Sequence, residues 1–125
     1  MTDRTNLYKG INRIFDSSEL TDLEKQHEIT INVADNVTAG IAFEVELIVG
    51  EKLTHPNNID HWIQYIELLI GEARVNQFEM DAATITTPSV KFKITLPKWA
   101  SSELTARLRC NQHGIWESKK LITID

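Results

Sequence analysis

Cysteine is nearly absent from this chain, because only one occurs among 125 residues. A single cysteine cannot form an internal disulfide, so nothing in the sequence indicates an oxidising compartment. No apolar run approaches the length needed to span a bilayer, and the first 15 residues have no apolar core of the signal-peptide kind. These absences predict a cytoplasmic protein with no membrane partner.

Positive charge is also scarce. The chain has 13 Lys and Arg against 18 Asp and Glu, which gives a formal net charge of −5. Because contact with phosphate needs a cationic surface, nucleic acid is excluded as the main partner. The remaining composition, with 42% hydrophobic residues, is ordinary for a single globular domain large enough to bury a core.

Most of the chain after residue 27 alternates apolar and polar side chains with a period of two. The clearest examples are FEVELIV (43–49), VKFKITL (90–96) and LTARLRC (104–110). Further strands are predicted at about 28–34, 61–70, 73–79 and 115–124. Turn signals separate them at 34–36, 38–40, 55–58, 86–88 and 97–98. About seven short strands with no strong helix between them predict an all-β, antiparallel β-sandwich.

The first 26 residues carry a different pattern. Four apolar residues fall at helical spacing, namely Leu7, Ile11, Ile14 and Phe15. The sequence TDLE at 21–24 has the form of a capping box, a Ser or Thr followed three residues later by Glu. We predict a short helix or turns, packed on the sandwich.

All histidines and the only cysteine lie at predicted strand ends or in loops: His27, His55, His61, Cys110 and His113. Cys110 is in phase with the apolar side of its strand, so its sulfur is expected to point inward. His113 follows three residues later, a spacing that lets a thiolate and an imidazole meet one metal across a tight turn. His55 and His61 bound the loop HPNNIDH, which can aim both rings at one point. A lone histidine at a strand end is more often a solvated surface residue, so that alternative stays open.

The size of this set bears on the choice of metal. A structural zinc site usually stops at four ligands, whereas four imidazoles and one thiolate suit a transition metal with one open position, and iron in particular. A blue-copper site would also use a β-sandwich, but it normally adds a Met shortly after the second His. Met occurs here only at positions 1 and 80, which disfavours copper.

Two segments resemble the superoxide reductase family, also called neelaredoxin, and the iron domain of desulfoferrodoxin. They are VGEKLTHPNNIDHWIQYIEL (49–68) and CNQHGIWESKKLIT (110–123). The family patterns are a His-Pro turn with a second His six residues after the first, and Cys-Asn-x-His-Gly-x-Trp, and both are present in full. The resemblance covers about residues 24–124 and implies an immunoglobulin-like β-sandwich.

The resemblance also implies the domain layout. Residues 1–125 form a single iron-binding domain, with 1–26 as an N-terminal extension and active-site loop and 27–125 as the sandwich. The four-cysteine iron domain of desulfoferrodoxin is absent, so the chain is similar to the one-iron type.

The implied activity is superoxide reduction, the one-electron conversion of superoxide to hydrogen peroxide. The implied cofactor is a mononuclear non-haem iron (Fe²⁺/Fe³⁺) with an open sixth site, held equatorially by His27, His55, His61 and His113 and axially by Cys110. An external, rubredoxin-like donor would reduce the iron again, and the family implies a homo-oligomer, a dimer or tetramer. The alternatives are a non-catalytic metal-binding sandwich and a blue-copper-like electron carrier.

The segment LEKQHEIT (23–30) departs from the family pattern Glu-Lys-His-x-Pro. Gln26 is inserted before the histidine, and Ile29 replaces the usual proline. In the family the Lys attracts superoxide and helps to supply protons, and the Glu occupies the sixth site of the ferric resting state. If the loop bulges by one residue, Glu24 and Lys25 keep these catalytic roles. Without a bulge, Gln26 takes the lysine place and Lys25 the glutamate place. Alternatively, Glu24 only closes the capping box and Lys25 is solvated.

Overall fold

The structure is a computed structural model that describes residues 10–16, 18–82 and 88–125. Within these ranges the elements are β1 (Ile11–Arg13), α1 (Asp22–His27), β2 (Ile29–Asn32), β3 (Asn36–Val37), β4 (Phe43–Val49), β5 (Ile63–Ile70), β6 (Ala73–Glu79), β7 (Ser89–Ile94), β8 (Glu103–Cys110), β9 (Gly114–Leu121) and β10 (Thr123–Ile124). They form a five-stranded sheet in the order β1-β9-β8-β5-β6, a three-stranded sheet β2-β4-β7 and a pair β10-β3. The all-β prediction is confirmed. No helix in the described ranges is long and apolar enough to cross a membrane.

The core lies between the apolar faces of the two larger sheets. On β4 the alternation buries Val45, Leu47 and Val49 completely. On β8, in the middle of the five-stranded sheet, every second residue is fully buried, and Cys110 is the last of them. Burial of each large aliphatic side chain contributes about 1.5–3 kcal/mol, so this face fixes the register of β8. The expected inward direction of the Cys110 side chain is confirmed.

Most strand predictions match the structure, and the differences have local causes. The predicted strands at 43–49 and 73–79 have the observed bounds. The predicted strand at 61–70 begins instead at Ile63, because His61 closes a turn through an isolated bridge with Asn58. The segment 115–124 is divided between β9 and β10, and β3 forms beside β10 next to the turn predicted at 34–36. Most of the predicted turn at 86–88 lies outside the described residues.

The predicted short helix forms at Asp22–His27, but the helical spacing of Ile11, Ile14 and Phe15 does not produce a helix. Residues 11–13 form β1, which pairs in parallel with β9. Phe15 is 93% exposed and therefore does not pack on the sandwich, and Leu7 lies outside the described residues. A helix of so few residues has little stability of its own, whereas the open edge of β9 offers unpaired backbone groups to a short strand.

Helix α1 confirms the predicted capping box. The Thr21 hydroxyl accepts a hydrogen bond from the Glu24 backbone N–H at 3.1 Å, and the Glu24 carboxylate accepts one from the Thr21 N–H at 3.0 Å. The helix has six residues and ends at His27. Because such a helix is too short to be stable alone, its cap and the buried His27 hold it in place.

A row of alternating charges crosses the other face of the five-stranded sheet. Arg13, Glu117, Arg107 and Glu67 occupy paired positions on β1, β9, β8 and β5, and Arg74 of β6 continues the row. Arg107 Nε lies 2.8 Å from a Glu117 oxygen, and Arg13 pairs with the other oxygen. Burial raises the pKa of Glu117, but the two guanidinium groups outweigh it and hold this pKa below its usual value. The row ties the short strand β1 to the sheet.

Candidate metal centre

The five residues singled out in the sequence converge at one end of the sandwich. His27 ends α1, His55 lies in the loop after β4, His61 precedes β5, Cys110 ends β8 and His113 lies in the β8–β9 turn. The ligand atoms of His27, His55, His61 and Cys110 all lie within 4.8 Å of one another. The alternative of separate, solvated histidines therefore does not hold for these residues.

The imidazole rings form a closed circle. From His27 through His55, His61 and His113 back to His27, the distances between ring centroids are 4.7, 4.5, 4.9 and 5.1 Å. Across the circle, His27 and His61 are 6.4 Å apart. Neighbouring rings stand edge to face, with interplanar angles of 82°, 69°, 71° and 83°. The circle places His113 at the corner between His61 and His27.

Backbone carbonyls fix which nitrogens of His27 and His55 face the centre. The Nδ1 atom of His27 lies 2.6 Å from the Leu23 oxygen, and that of His55 lies 2.6 Å from the Pro56 oxygen. A carbonyl only accepts, so each Nδ1 carries the proton and each Nε2 carries a lone pair. The two Nε2 atoms face each other at 3.1 Å, where neither can donate to the other.

At neutral pH neither His27 nor His55 is protonated at Nε2, so no hydrogen bond forms between these two nitrogens. Both side chains are 1% exposed. Burial lowers the pKa of His27 to about 3 and that of His55 to about 4, although the carbonyl hydrogen bonds act in the opposite direction. A metal cation between the two lone pairs would stabilise the arrangement. Two nitrogens bound at right angles, each about 2.1 Å from one ion, lie about 3.0 Å apart, which fits the observed distance.

The sulfur of Cys110 joins the same centre. Its Sγ lies 3.1 Å from His61 Nε2 and 3.7 Å from His113 Nδ1. Burial raises the pKa of the thiol, while the backbone N–H groups of Gln112 and His113 hydrogen-bond the sulfur and act to lower it. A coordinated cation ionises a thiol outright, so the donor set fits a metal that accepts both imidazole and thiolate.

Two loops that carry ligands are joined by the side chain of Asn111. Its Oδ1 accepts from the Trp62 N–H at 2.9 Å, and its Nδ2 donates to the Asp60 carbonyl at 2.9 Å. Gln112 donates to the same carbonyl at 2.8 Å. Sequence reasoning missed this bridge, because it depends on the two loops meeting in space.

Trp116 contacts two of the histidines of the centre, His27 and His113. Its ring stacks on His27 with centroids 4.7 Å apart and planes 14° apart, and it is 2% exposed. Its Nε1 donates to the His113 carbonyl at 3.2 Å. A single side chain therefore contacts one ligand directly and holds the backbone of another.

Gly50 sits between the segments that carry His27 and His55. Its φ of +67° lies in the left-handed region, and its N–H donates to the Glu28 carbonyl at 3.1 Å. A Cβ added there would lie 2.8 Å from the Leu53 carbonyl oxygen and 3.1 Å from the His55 nitrogen. Apart from the glycine itself, no pattern in the sequence predicted this role.

The structure places Glu24 and Lys25 on different sides of α1. Glu24 lies three residues before His27, on the same side of the helix, and its carboxylate is engaged in the capping box. Lys25 lies two residues before His27, so it leaves the helix on the far side. Lys52 forms an ion pair with Glu28, the residue after His27, at 3.3 Å.

Comparison with known proteins gives a consistent result. The family model for desulfoferrodoxin matches residues 19–119. A Methanocaldococcus jannaschii protein named "Putative superoxide reductase" is 36% identical over 120 residues, covering 94% of this chain and 97% of that protein. A Pyrococcus horikoshii superoxide reductase is 31% identical over 91 residues, covering 64% and 75% of the two chains. A solved variant of the Ignicoccus hospitalis superoxide reductase (neelaredoxin) is 27% identical, with a TM-score of 0.76 over 92% of this chain and 94% of that one.

Proposed function

This chain belongs to the desulfoferrodoxin family, and we propose that it is a superoxide reductase with one mononuclear iron. In the reaction, superoxide takes up one electron and two protons and becomes hydrogen peroxide. The observation that carries the proposal is the pair of buried imidazole lone pairs facing each other at 3.1 Å, with the only thiol of the chain at the same point.

The metal would be held by His27, His55, His61, His113 and Cys110. When bound, the iron supplies the electron that superoxide takes up and receives another from an external donor. The carbonyl oxygens of Leu23 and Pro56 keep two imidazoles in the tautomer that presents Nε2. Such hydrogen bonds also raise the basicity of the ligating nitrogen.

The backbone around the sulfur adjusts how strongly the thiolate donates electron density. The N–H groups of Gln112 and His113 hydrogen-bond the Cys110 sulfur and withdraw part of its charge. When Cys110 holds the metal as a thiolate, it would donate electron density to that metal, as the thiolate does in thiolate-ligated haem enzymes. The balance of the two effects sets the potential of the site.

Lys25 is the cation that attracts the substrate in this proposal. The net charge of −5 repels an anion, so a local ammonium near the site has a large relative effect. Because Lys25 leaves α1 on the side away from His27, this role requires its flexible four-carbon stem to bring the ammonium towards the open side of the site. Lys52 is the rival, but its charge is partly offset by Glu28. Glu24 is proposed as the carboxylate of the ferric resting state, with its role in the cap as the alternative.

The remaining parts of the proposal come from the family resemblance and the composition. The electron donor is a rubredoxin-like protein, and the chain assembles into a homodimer or homotetramer. One cysteine in the whole chain favours a cytoplasmic location. Residues 1–125 act as one domain, with the N-terminal extension joined to the sheet through β1.

Rapid mixing of the anaerobically reduced, iron-loaded protein with superoxide tests the function. A reductase forms one hydrogen peroxide per superoxide consumed and releases no oxygen, whereas a dismutase forms one peroxide per two superoxide and releases oxygen. Metal analysis of protein from its native source should find one iron per chain, and oxidation should give a blue thiolate-to-iron band. Stoichiometric zinc or copper without iron would contradict the proposal, as would iron binding without any reaction.

A further inference from the structure

The carbonyl group of His113 accepts hydrogen bonds from two side chains. Trp116 donates from its indole nitrogen at 3.2 Å, and Asn12 donates from its side-chain amide at 3.2 Å. The Asn12 amide also donates to the carbonyl of Ile115 at 3.0 Å. One amide of β1 therefore holds the backbone carbonyls on both sides of Gly114.

The hydrogen bonds from Asn12 restrain the chain next to a flexible residue, Gly114. Its φ is +79°, a conformation that glycine adopts without strain, and glycine restrains the chain less than any other residue. The pairing of β8 with β9 ends at Cys110 and Gly114, so the carbonyl of the peptide that joins His113 to Gly114 is held by side chains from outside that pairing. His113 comes immediately before it, and its ring forms one corner of the imidazole circle.

The position of Asn12 is itself fixed by the sheet. In the register of β1 with β9, Asn12 lies beside Trp116, and the next residue, Arg13, lies beside Glu117. Arg13 pairs with the Glu117 carboxylate, whose side chain is 1% exposed. The Arg13 side chain is 49% exposed, but a shift of β1 along β9 would still leave the buried Glu117 carboxylate without one of its two guanidinium partners, which holds the Asn12 amide at the turn.

We propose that Asn12 is a positioning residue of the metal centre, which acts through the His113 carbonyl. The inference rests on the proposed function only in that the histidines and the cysteine hold a metal. Asn12 lies outside residues 19–119, which the family model matches. In this chain the N-terminal strand therefore contributes to the support of a ligand turn that is 101 residues away in sequence.

The test uses Asn12→Leu, which keeps the shape of the side chain and removes its donors. The matched control is Asn32→Leu, because the Asn32 amide donates to Glu46 at an exposed position on the other sheet. The rate at which a chelator removes Fe²⁺ is measured for both variants, together with the visible spectrum of the ferric protein and the melting temperature of the metal-free protein.

Loss of a hydrogen bond to the ligating group itself typically weakens metal affinity by about 10–100-fold, and the effect should be smaller for Asn12, which bonds the His113 backbone and not its ring. We expect Asn12→Leu to lose Fe²⁺ faster, by up to about 10-fold. Its thiolate-to-iron band should move to longer wavelength, because the His113 N–H holds the sulfur less firmly. Asn32→Leu should match the wild type. The proposal would be overturned if Asn12→Leu released Fe²⁺ at the wild-type rate and kept the wild-type ferric spectrum. This holds even if the metal-free variant had a lower melting temperature.

A measurement on the wild-type chain covers the case in which Asn12→Leu does not fold. In the Zn²⁺-loaded protein, the side-chain amide protons of Asn12 should exchange with water more slowly than those of Asn32, and more slowly than in the metal-free protein. Equal exchange in all these cases would also overturn the proposal. If metal binds as expected but superoxide is not reduced, the proposed function fails and the role of Asn12 stands.

Discussion

The two sides of the metal centre are built in different ways. Cys110 and His113 belong to the turn of a hairpin, in which β8 and β9 pair over eight positions from Glu103 to Cys110. His27 ends a helix of six residues, and His55 follows a glycine turn. The hairpin side, with Cys110 and His113, is held by regular strand pairing. The helix side, with His27 and His55, depends on the cap of α1, on Gly50 and on packing. Cys110 and His113 are therefore placed by one local hairpin, whereas His27 and His55 are placed by contacts between separate segments, one of which contains Gln26.

The largest effect is expected on the hairpin side, from Cys110→Ser. A hydroxyl is a harder ligand and donates less electron density than a thiolate, so superoxide reduction should be abolished and the blue band lost. The cost of burying the hydroxyl is about 1–3 kcal/mol, which a domain stable by about 5–15 kcal/mol survives. Circular dichroism and single-turnover kinetics measure both effects. Wild-type rates in this variant would remove Cys110 from the ligand set.

On the helix side, Gly50→Ala should give the next largest effect. The added methyl group meets the Leu53 carbonyl oxygen at 2.8 Å in a left-handed conformation, so the loop that leads to His55 has to move. We expect a loss of more than about 1 kcal/mol in unfolding free energy, together with weaker iron binding. Gly40→Ala is the matched control, because Gly40 has a φ of +79° but nothing within 4 Å of the added carbon. If the control loses as much iron as Gly50→Ala, backbone strain alone explains the effect.

A smaller effect is expected from Thr21→Ala, which removes the cap of α1. Loss of an N-cap hydroxyl lowers the unfolding free energy by about 1 kcal/mol, which thermal denaturation can measure. The variant should keep its iron, because the Leu23 carbonyl and Trp116 still hold the His27 ring. Loss of iron in Thr21→Ala would mean that the cap is part of the metal centre.

Glu24→Gln separates the two interpretations of Glu24, because glutamine also completes a capping box. If Glu24 is the resting-state carboxylate, the ferric spectrum changes while the melting temperature stays close to the wild type. If the carboxylate only caps the helix, neither changes. The spectrum therefore decides the role without interference from the stability of α1.

The smallest effect is expected from Lys25→Ala. Removal of one steering cation should slow the bimolecular reaction with superoxide by about two- to fivefold at low ionic strength and flatten its salt dependence, with iron binding intact. Lys52→Ala is the control, because the Lys52 side chain is 51% exposed and its ammonium is already paired with Glu28. A slowed rate only in Lys52→Ala would transfer the role to that residue. Unchanged rates in both would mean that neither lysine steers the substrate.

The sequence determined those features that rest on local pattern. A period of two along 43–49 and 104–110 selects one buried face, so the strands, the core and the inward sulfur of Cys110 follow from it. The motifs at 55–61 and 110–116 single out four of the five candidate ligands, because each motif brings two of them within one loop or turn. The capping box at 21–24 is equally local and formed as predicted.

Only the tertiary structure decided what joins these pieces. Residues 11–13 form a strand because the edge of β9 is open to them, and no periodicity in three residues can specify that. The circle of imidazoles closes across residues 27, 55, 61 and 113, which are brought together by the pairing of distant strands. Asn12 and Trp116 hold His113 through hydrogen bonds to a backbone carbonyl, and any residue has that group. Such contacts leave no mark in the sequence, because their energy depends on where the chain returns and not on which residues are neighbours along it.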